Sequence, residues 1–472
     1  MKNDRKKNIL YTAYAAAFIG ICLIPLAGLP FQKTGSTLEN RALAEMPKVK
    51  NEDGKLNFEF FSEFETYFSE HFAFRQDLVT LDGKLRAEVA GSSSNEDVIV
   101  GKDGWLYYTP TADDFMNTNT LSDRAVSNIN HNLALLSDYC NKQGAEFIFT
   151  VAPNKNTIYP EYMPYNYIQT GSNGNLEKLE MKQAASQKYL YTSLKDVLLE
   201  EKSRTGDQLY HKTDTHWNNI GALAARNALV GTELPSQWTK KIDWSGDLAE
   251  MIYPADVPMD AQYYTDYAFT YNYVGRFRSF DEISIRTTNA NAEGSLLMYR
   301  DSFGEAIIPF MAESFAQAEF SRAVPYSTAT ITDGMTVILE IVERNLGNLQ
   351  KYAPVMPAPV YEGELPQGKT GAEVSFISEA SGSYIHICGE LPEEFFSGAD
   401  TTIIVTADGV SYEAFNCFED KKLGREGEVS DNGFSLYIPK SDEQQTSIDV
   451  ITVTAVSSDG TAVTSITNNK ER

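Results

Sequence analysis

Apolar and polar positions follow one pattern before about residue 354 and another after it. In residues 32–353, segments with apolar residues three and four positions apart are separated by short, nearly continuous apolar runs. The first spacing is typical of one helix face, and the second is typical of strands buried in a parallel sheet. Their alternation predicts a three-layer α/β domain built on a parallel sheet.

The elements of this domain can be placed from the same patterns. Strands are expected at 146–152, 189–191, 296–299 and 336–341, and helices at 123–144, 175–188, 194–205 and 220–230, with a last helix that ends near residue 317. Two short strands within Val98–Tyr108 turn at Asp103-Gly104, a dipeptide that favours a β-hairpin.

Phenylalanine and tyrosine recur at helical spacing between Phe58 and Phe72. This pattern predicts one amphipathic helix that continues towards Ala90 and buries its aromatic face in the core. His71 lies on that face, where a structural role is expected. A second aromatic cluster, the six tyrosines between Tyr253 and Tyr273, suits either sugar stacking or ordinary packing in a β-hairpin.

A proline-rich linker is predicted over residues 354–370, followed by a β-sandwich over residues 371–472. Short strand patterns with turn dipeptides between them carry this prediction. The strands are expected at 384–388, 402–406, 411–417, 434–438 and 448–456. His386 falls within the first of them, where a structural role is expected.

The N-terminus combines a basic tail, residues 1–8, with an uncharged run at residues 9–31. As a helix this run would be roughly 34 Å long, enough to cross a bilayer. The positive-inside rule then predicts a single-pass signal-anchor in the cell membrane, with a cytoplasmic tail and everything after Gln32 on the extracytoplasmic side. A cleaved signal peptide is the alternative, because Leu26–Gly28 contains small residues.

The formal charge of −25 and a pI near 4.6 argue against a nucleic-acid partner, which requires a basic surface. The four cysteines match no zinc-binding spacing, and no cofactor or metal is expected. Cys388 and Cys417 fall in one predicted domain, and their spacing leaves open whether they form a disulfide.

The candidate chemistry centres on Asp214, His216 and Ser302. Only five histidines occur in the chain, and in an extended segment Asp214 and His216 would project to the same face. Asp214 could then orient the imidazole while the other ring nitrogen acts as a base. Ser302 follows a predicted strand and precedes a helix, the position of an exposed nucleophile. The alternatives are a surface pair for Asp214 and His216, and a helix cap for Ser302.

Further candidates lie at the carboxyl ends of predicted strands, where ligands gather in α/β sheets. Asn154 and Lys155 follow strand 146–152, and Arg344 follows strand 336–341. Asn154 can donate an amide N–H to an oxyanion, or it can serve as a cap or turn residue. Arg344 can place its guanidinium at the site or simply form an ion pair.

Several motifs together resemble the SGNH-hydrolase-like family of DHHW proteins and AlgX/AlgJ-type polysaccharide O-acetyltransferases. The motifs are Thr213-Asp-Thr-His-Trp-Asn218, Asp301-Ser-Phe303, Val98–Tyr108, Val151–Pro160 and Leu339–Leu346. Two positions depart from the family pattern. Thr215 stands where DHHW proteins carry a second histidine, and Arg300 stands where glycine often precedes Asp-Ser, a difference that affects the oxyanion hole.

This resemblance implies a Ser302–His216–Asp214 triad and substrate or oxyanion contacts from Asn154, Lys155, Arg300, Arg344, Tyr108 and Trp217. It also implies an acetyl group as cargo, an exopolysaccharide or cell-wall glycan as acceptor, and a membrane acyltransferase partner that delivers acetyl groups. An acetyl esterase would use the same residues.

Two other classes compete with the serine enzyme. A metal-dependent hydrolase would use His211, Asp214 and His216, although three ligands within six residues make a poor cage. A membrane-tethered glycan-binding or assembly protein, with the β-sandwich at 371–472 as its candidate glycan-binding domain, would need no turnover at all.

Overall fold

The computed structural model describes residues 11–20, 23–24, 28, 44–51, 53–171, 173–441 and 445–468. The predicted tail 1–8 and part of the predicted span 9–31 lie outside these ranges. Residues 11–20 are helical. Within the described part of the chain, no helix has both the length and the apolar character needed to span a bilayer.

From residue 44 onwards, the α-helices and strands are numbered here in chain order. The helices are α1 (Phe60–His71), α2 (Arg75–Leu85), α3 (Ala112–Met116), α4 (Asp123–Lys142), α5 (Lys155–Ile158), α6 (Asn175–Ser186), α7 (Leu194–Thr205), α8 (Asn219–Val230), α9 (Asp247–Ile252) and α10 (Gly304–Ser314). The strands before the linker are β1 (Val98–Val100), β2 (Leu106–Tyr108), β3 (Glu146–Ala152), β4 (Leu190–Thr192), β5 (Trp238–Ser245), β6 (Met259–Thr265), β7 (Asn272–Tyr273), β8 (Ser284–Thr288), β9 (Ser295–Tyr299), β10 (Gln317–Ser321) and β11 (Met335–Val342).

A seven-stranded sheet in the order β4-β3-β11-β9-β10-β8-β7 forms the centre of the α/β domain. The first five strands in this order are parallel to one another. Strand β8 pairs antiparallel with β10, and β7 pairs antiparallel with β8, so the expected parallel sheet is in fact mixed. Strands β3, β9 and β11 are buried along nearly their whole length, whereas β8 alternates between exposed and buried residues. That alternation is typical of a half-covered antiparallel strand, and its weak apolar pattern explains why β8 was not predicted.

Four of the five parallel strands and their helices match the sequence pattern closely. The fifth, β10, was not predicted, because the helix expected to end near residue 317 ends at Ser314 and Gln317 begins the strand. Strand β3 and helix α7 have the predicted bounds, and the β1–β2 hairpin pairs Val98 with Tyr108 as expected. Asn218 caps α8 by accepting hydrogen bonds from two backbone N–H groups, those of Ile220 and Gly221. The β5–β6 pair was not predicted, because β5 is largely exposed and five of its eight residues are polar.

The prediction of one aromatic helix packed into the core is wrong. The segment divides at residues 72–74 into α1 and α2, because Phe74 adopts a left-handed backbone conformation (φ 63°). No residue of α1 is buried, and Phe58 and Phe61 are 93% and 83% exposed. The rings of α1 instead stack along the helix itself, with the centroids of Phe60 and Phe64 6.0 Å apart.

The tyrosine-rich stretch is largely ordinary packing. Tyr263 on β6 is buried, and Tyr271 and Tyr273 pack against the core of the α/β domain. Their rings belong to a series of edge and stacked contacts that continues to Phe277 and Phe280. This agrees with the packing alternative, although β6 pairs with β5 and Tyr273 joins the central sheet through β8.

The C-terminal region is built from two sheets that enclose one apolar core. Its strands are β12 (Lys369–Thr370), β13 (Ser375–Ser381), β14 (Tyr384–Glu390), β15 (Thr401–Ala407), β16 (Val410–Glu413), β17 (Gly433–Pro439), β18 (Val450–Ser457) and β19 (Ala462–Asn468). The five-stranded sheet has the order β12-β19-β18-β15-β16, and the three-stranded sheet has the order β13-β14-β17.

The two regions share buried contacts. Phe415, Cys417 and Tyr437 of the β-region pack into the core beneath α4, and Met356, within the predicted linker, is buried there too. The side chain of Asn132 on α4 is hydrogen-bonded to the backbone of Asn416 in both directions. Among the described cysteines, Cys140, Cys388 and Cys417 are buried thiols without a disulfide.

Candidate active site

Ser302 lies in the tight turn between β9 and α10. The Asp301 carboxylate holds this turn by accepting hydrogen bonds from the backbone N–H of Phe303 (2.9 Å) and of Val342 (2.7 Å) on the neighbouring strand. A Cβ at Gly304 would lie 2.5 Å from the Arg300 side chain, so only glycine fits there. Ser302 itself is left partly exposed.

His216 lies in a bent loop rather than in the expected extended segment. Asp214 still reaches the imidazole, because its Oδ1 lies 2.8 Å from His216 Nδ1 and also accepts the His216 backbone N–H. The other carboxylate oxygen accepts hydrogen bonds from Trp244 Nε1 (3.0 Å) and from the Asp247 backbone N–H (3.2 Å). Four donors therefore hold this carboxylate in place.

The two halves of the predicted site meet. His216 Nε2 lies 2.9 Å from Ser302 Oγ, although the residues are 86 positions apart in the chain. The Asp214 side chain is 5% exposed and that of His216 is 27% exposed. An oriented imidazole therefore bridges a buried carboxylate and the hydroxyl of a partly exposed serine.

The electrostatics of this pair favour the charged forms. Burial alone would raise the pKa of Asp214, but the hydrogen bond and charge of His216 outweigh it and lower that pKa. Burial likewise acts to lower the pKa of His216, but Asp214 outweighs it, and the net pKa of the imidazole is raised. The Asp214 carboxylate would therefore stabilise an imidazolium that forms on His216 during a reaction.

Lys155 supports the His216 loop from beneath. Its Nζ donates to the carbonyls of His211 (3.2 Å), Lys212 (3.0 Å) and Asp214 (2.6 Å), and the residue is 4% exposed. Burial lowers the pKa of Lys155 to about 8. The side chain thus acts on the loop backbone.

Asn154 is also turned towards the protein. Its side-chain amide donates to Asp114 (3.1 Å), and its backbone N–H donates to Glu343 (2.8 Å). Burial raises the pKa of Glu343 to about 7. These contacts fix the carboxyl end of β3 beside that of β11.

Arg344 lies close to the nucleophile turn. Its guanidinium carbon is 5.4 Å from the ring centroid of Tyr108 and 5.5 Å from that of Phe303. Its buried Nη1 has no hydrogen-bond partner within the described residues. The positive charge also acts to lower the pKa of His216. Arg344 therefore places a positive charge beside the nucleophile turn, with one buried donor unpaired among the described residues.

The remaining predicted residues lie in the supporting structure. Trp217 is buried and donates from Nε1 to the Phe303 carbonyl (3.0 Å), which ties the His216 loop to the Ser302 turn. Arg300 is buried, and its guanidinium donates to the carbonyls of Phe280, Glu282 (3.2 Å) and Asp301 (3.2 Å). Burial lowers the pKa of Arg300 to about 10.

Sequence reasoning missed Trp244 and Asp247. Both contact Asp214, and Asp247 Oδ2 also lies 3.8 Å from His216 Nδ1. They belong to β5 and α9, about 30 residues after the Asp214 motif, and no spacing rule connects them to it. The only local signal was Gly246-Asp247, a possible helix start.

The ligand set of the metal-hydrolase alternative is not brought together in the way it requires. His211 Nδ1 binds the Ala261 carbonyl (2.9 Å), and its ring stacks on Trp244 with centroids 4.7 Å apart. Donor atoms of Asp214, His216 and Asp247 do converge within 4.8 Å, but both nitrogens of His216 already face Asp214 and Ser302.

Comparison with known proteins agrees with the motif resemblance. Residues 98–269 match the family model described as "SGNH hydrolase-like domain, acetyltransferase AlgX". Two curated relatives are named "Probable alginate O-acetylase AlgJ". The one from Pseudomonas syringae pv. tomato is 28% identical over 222 residues, which cover 46% of this chain and 50% of the relative. The one from Pseudomonas fluorescens is 28% identical over 184 residues, which cover 38% of this chain and 43% of the relative. The chain thus spans about half the length of these relatives or less.

Solved structures give weaker likenesses. Bacillus cereus PatB1 is 17% identical, with 53% of this chain and 96% of that chain covered and a TM-score of 0.40. The O-acetyltransferase domain of Pseudomonas putida AlgJ is 18% identical, with 53% of this chain and 92% of that chain covered and a TM-score of 0.35. A DHHW family protein from Eubacterium siraeum is 16% identical, with 54% and 95% covered and a TM-score of 0.40. The family model and the curated relatives confirm the resemblance predicted from the motifs.

Proposed function

We propose that this chain, which carries an SGNH hydrolase-like domain of the AlgX/AlgJ type, transfers acetyl groups to a polysaccharide through Ser302, His216 and Asp214. The observation that carries the proposal is the continuous contact from Asp214 Oδ1 through both His216 nitrogens to Ser302 Oγ, with separations of 2.8 and 2.9 Å. A base next to a hydroxyl and an acid that orients the base are the requirements of nucleophilic acyl transfer.

In the first half-reaction, Ser302 Oγ attacks the carbonyl carbon of an acetyl ester while His216 Nε2 accepts the hydroxyl proton. The tetrahedral intermediate then expels the donor's alcohol, which takes that proton from His216, and acetyl-Ser302 remains. Asp214 keeps Nδ1 protonated and stabilises the imidazolium, in keeping with its four hydrogen bonds and buried position.

In the second half-reaction, a sugar hydroxyl gives its proton to His216 and attacks acetyl-Ser302. The products are an acetylated sugar and free Ser302 with its proton restored. Two groups suit the oxyanion that forms in each half. The backbone N–H of Ser302 has no acceptor among the described residues, and the guanidinium of Arg344 lies beside Phe303 without a hydrogen bond to them.

The polymer acceptor is proposed from the curated relatives, which are named as alginate O-acetylases. The net charge of −25 favours a polymer that is neutral or weakly charged near the site. We further propose that residues 9–31 anchor the chain in the cell membrane, and that a membrane acyltransferase partner supplies acetyl groups on the outer side. Recovery of the full chain in the soluble fraction of its native host, with residues 1–31 intact, would contradict the anchor.

An acetyl esterase is the second candidate, because the His216 side chain is 27% exposed and water can approach it. Competition separates the two activities. If transfer dominates, adding oligosaccharide to an activated acetyl ester raises acetylated sugar at the expense of free acetate. If hydrolysis dominates, acetate release is unchanged by the sugar.

The test of the proposal combines a sulfonyl fluoride probe with this assay. We expect one probe per chain, located at Ser302 by peptide mass spectrometry, and no label in Ser302→Ala. The same variant should lose acetyl release and transfer by at least about 10⁴-fold. Ser295→Ala, on β9 outside the turn, serves as a matched control. An unchanged rate in Ser302→Ala, or a probe attached to another serine, would overturn the proposal.

A further inference from the structure

A second polar cluster lies in the β-region, on the three-stranded sheet. His386 and Cys388 are two positions apart on β14, so both project to the same face of the sheet. On β17, Ser435 pairs with Cys388 and Tyr437 pairs with His386. Glu419 reaches the same face from the segment that follows β16. Three separate segments thus bring an imidazole, a thiol, a carboxylate and a hydroxyl together.

The donor atoms converge on one small volume. A ring nitrogen of His386, Cys388 Sγ and a Glu419 carboxylate oxygen all lie within 4.8 Å of one another. His386 Nε2 is 2.9 Å from Glu419 Oε1 and 3.0 Å from Ser435 Oγ. Ser435 Oγ in turn donates to Glu419 Oε1 at 2.5 Å. The hydroxyl therefore borders the same space as the three stronger ligands.

Burial makes this cluster unusual. The side chains of His386 and Glu419 are each 3% exposed, and Cys388 is 1% exposed. An acid, a base and a thiol buried together are costly unless their charges are balanced. A divalent ion bound by neutral imidazole, thiolate and carboxylate gives a site with no net charge.

We propose that His386, Cys388 and Glu419 bind one zinc ion, with Ser435 or a water molecule on the fourth side. Nitrogen, sulfur and carboxylate oxygen are the donors that Zn²⁺ takes in proteins, at about 2.0–2.3 Å. Tetrahedral ligands at those lengths stand roughly 3.3–3.7 Å apart, so the Nε2–Oε1 pair needs to open by about half an ångström. Binding releases the thiol proton to solvent.

The site would fix the contact between the two regions of the molecule. Next to Glu419, the Phe418 backbone N–H donates to the Gln350 carbonyl (2.7 Å), and the Asn416 side-chain amide donates to Asn128 on α4 (3.0 Å). Asp420 lines a cavity of about 450 Å³ that also borders Asp301, the residue before the nucleophile. An ion on Glu419 would hold this whole segment against the sheet.

The experiment uses the full chain, purified through a removable tag that contains no histidine. The protein is stripped with a chelator, reloaded with Zn²⁺, dialysed and analysed by elemental mass spectrometry. We expect about one zinc per wild-type chain and less than about a tenth of that in Cys388→Ser and in His386→Gln. Cobalt loading should give a thiolate charge-transfer band in wild type that Cys388→Ser lacks.

Two controls locate the ion. Cys140→Ser removes a buried thiol outside the cluster, and Asp214→Asn alters the other group of converging donors, so both should keep their zinc. Zinc should also raise the thermal midpoint of the stripped wild type by roughly 10 °C and leave that of folded Cys388→Ser unchanged.

Either of two results would overturn the proposal. The first is stripped wild-type protein that takes up no stoichiometric zinc and shows no thermal shift, which would leave a plain hydrogen-bond network of His386, Glu419 and Ser435. The second is zinc that is lost in Asp214→Asn and kept in Cys388→Ser. The wild-type measurements decide the question even if a variant fails to fold.

Discussion

The molecule contains two constellations of serine, histidine and carboxylate, and they differ in which nitrogen each partner meets. In the α/β domain, Asp214 lies on His216 Nδ1 and Ser302 lies on Nε2, so the imidazole connects the acid to the hydroxyl. In the β-region, Glu419 and Ser435 both lie on His386 Nε2. The same residue types therefore form a relay in one place and a convergent cluster in the other.

The two histidines also differ in how far solvent can reach them. The side chain of His216 is 27% exposed, and that of His386 is 3% exposed. A substrate can approach the first imidazole, whereas the second is closed off from solvent. Geometry around the ring and access to it, rather than the residue types, distinguish a candidate reaction centre from a candidate binding site.

Substitution of the two histidines should give the largest contrast. His216→Gln removes the base next to Ser302, and we expect kcat/KM for an activated acetyl ester to fall by about 10⁴- to 10⁶-fold. His386→Gln should act mainly on folding and lower the free energy of unfolding by about 2–4 kcal/mol, because the buried Glu419 carboxylate loses the imidazole at 2.9 Å and keeps only the Ser435 hydroxyl as a neighbour in the cluster. Kinetics and denaturant unfolding of both variants check this. Equal losses of activity at matched folded fraction would remove the distinction between the clusters.

The two carboxylates give the next contrast. Asp214→Asn keeps the shape of the loop but cannot hold the imidazole as Asp214 does, so we expect kcat to fall by about 10³- to 10⁴-fold. Asp247→Asn is the matched control, since Asp247 is 3.8 Å from the same nitrogen and accepts a hydrogen bond from Thr215 instead. Its loss should be about tenfold. A larger effect in Asp247→Asn would identify Asp247 as the orienting acid.

The stability effect of Lys155 should further distinguish the two clusters. The Asp214–His216–Ser302 site depends on a loop that the Lys155 amine holds, whereas the β-region cluster has no such support from Lys155. Lys155→Met leaves three loop carbonyls without their donor and should lower the free energy of unfolding by about 3 kcal/mol. Lys241→Met, at an exposed position on β5, should change it by less than about 0.5 kcal/mol. Urea unfolding of both variants tests this, and equal stabilities would refute the supporting role of Lys155.

The smallest expected effect is a shift in the pH profile. His216 must be neutral to accept the Ser302 proton, and Asp214 raises its pKa above the ordinary value, so kcat/KM should rise with pH through a midpoint above about 6.5. Removing the negative charge in Asp214→Asn or Asp247→Asn should move that midpoint to lower pH. Profiles from pH 5 to 9 measure it, and a midpoint that rises in Asp214→Asn would contradict the assigned cause.

Much of the parallel sheet could be predicted because its signals are local. The buried run of β3 and the spacing of α7 each lie within one element, and both have the predicted bounds. Local signals failed where the environment decides the outcome. The aromatic spacing of α1 is that of a packed helix, yet nothing in the spacing determines whether another surface covers it, and here its rings are exposed.

The same division holds for the candidate site. The sequence by itself placed an acid two residues before a histidine and a serine at a strand-to-helix turn, and the motifs indicated the family. Only the tertiary structure brought His216 and Ser302 to 2.9 Å, directed Arg300 and Lys155 to backbone carbonyls, and added Trp244 and Asp247 around Asp214. Spacing reports neighbours within a helix or strand, whereas most of these contacts join residues that are 30 to 86 positions apart. Arg300 is the exception, because the carbonyls it reaches lie 1 to 20 positions away. Long-range proximity depends on how the elements pack, and no local period encodes it.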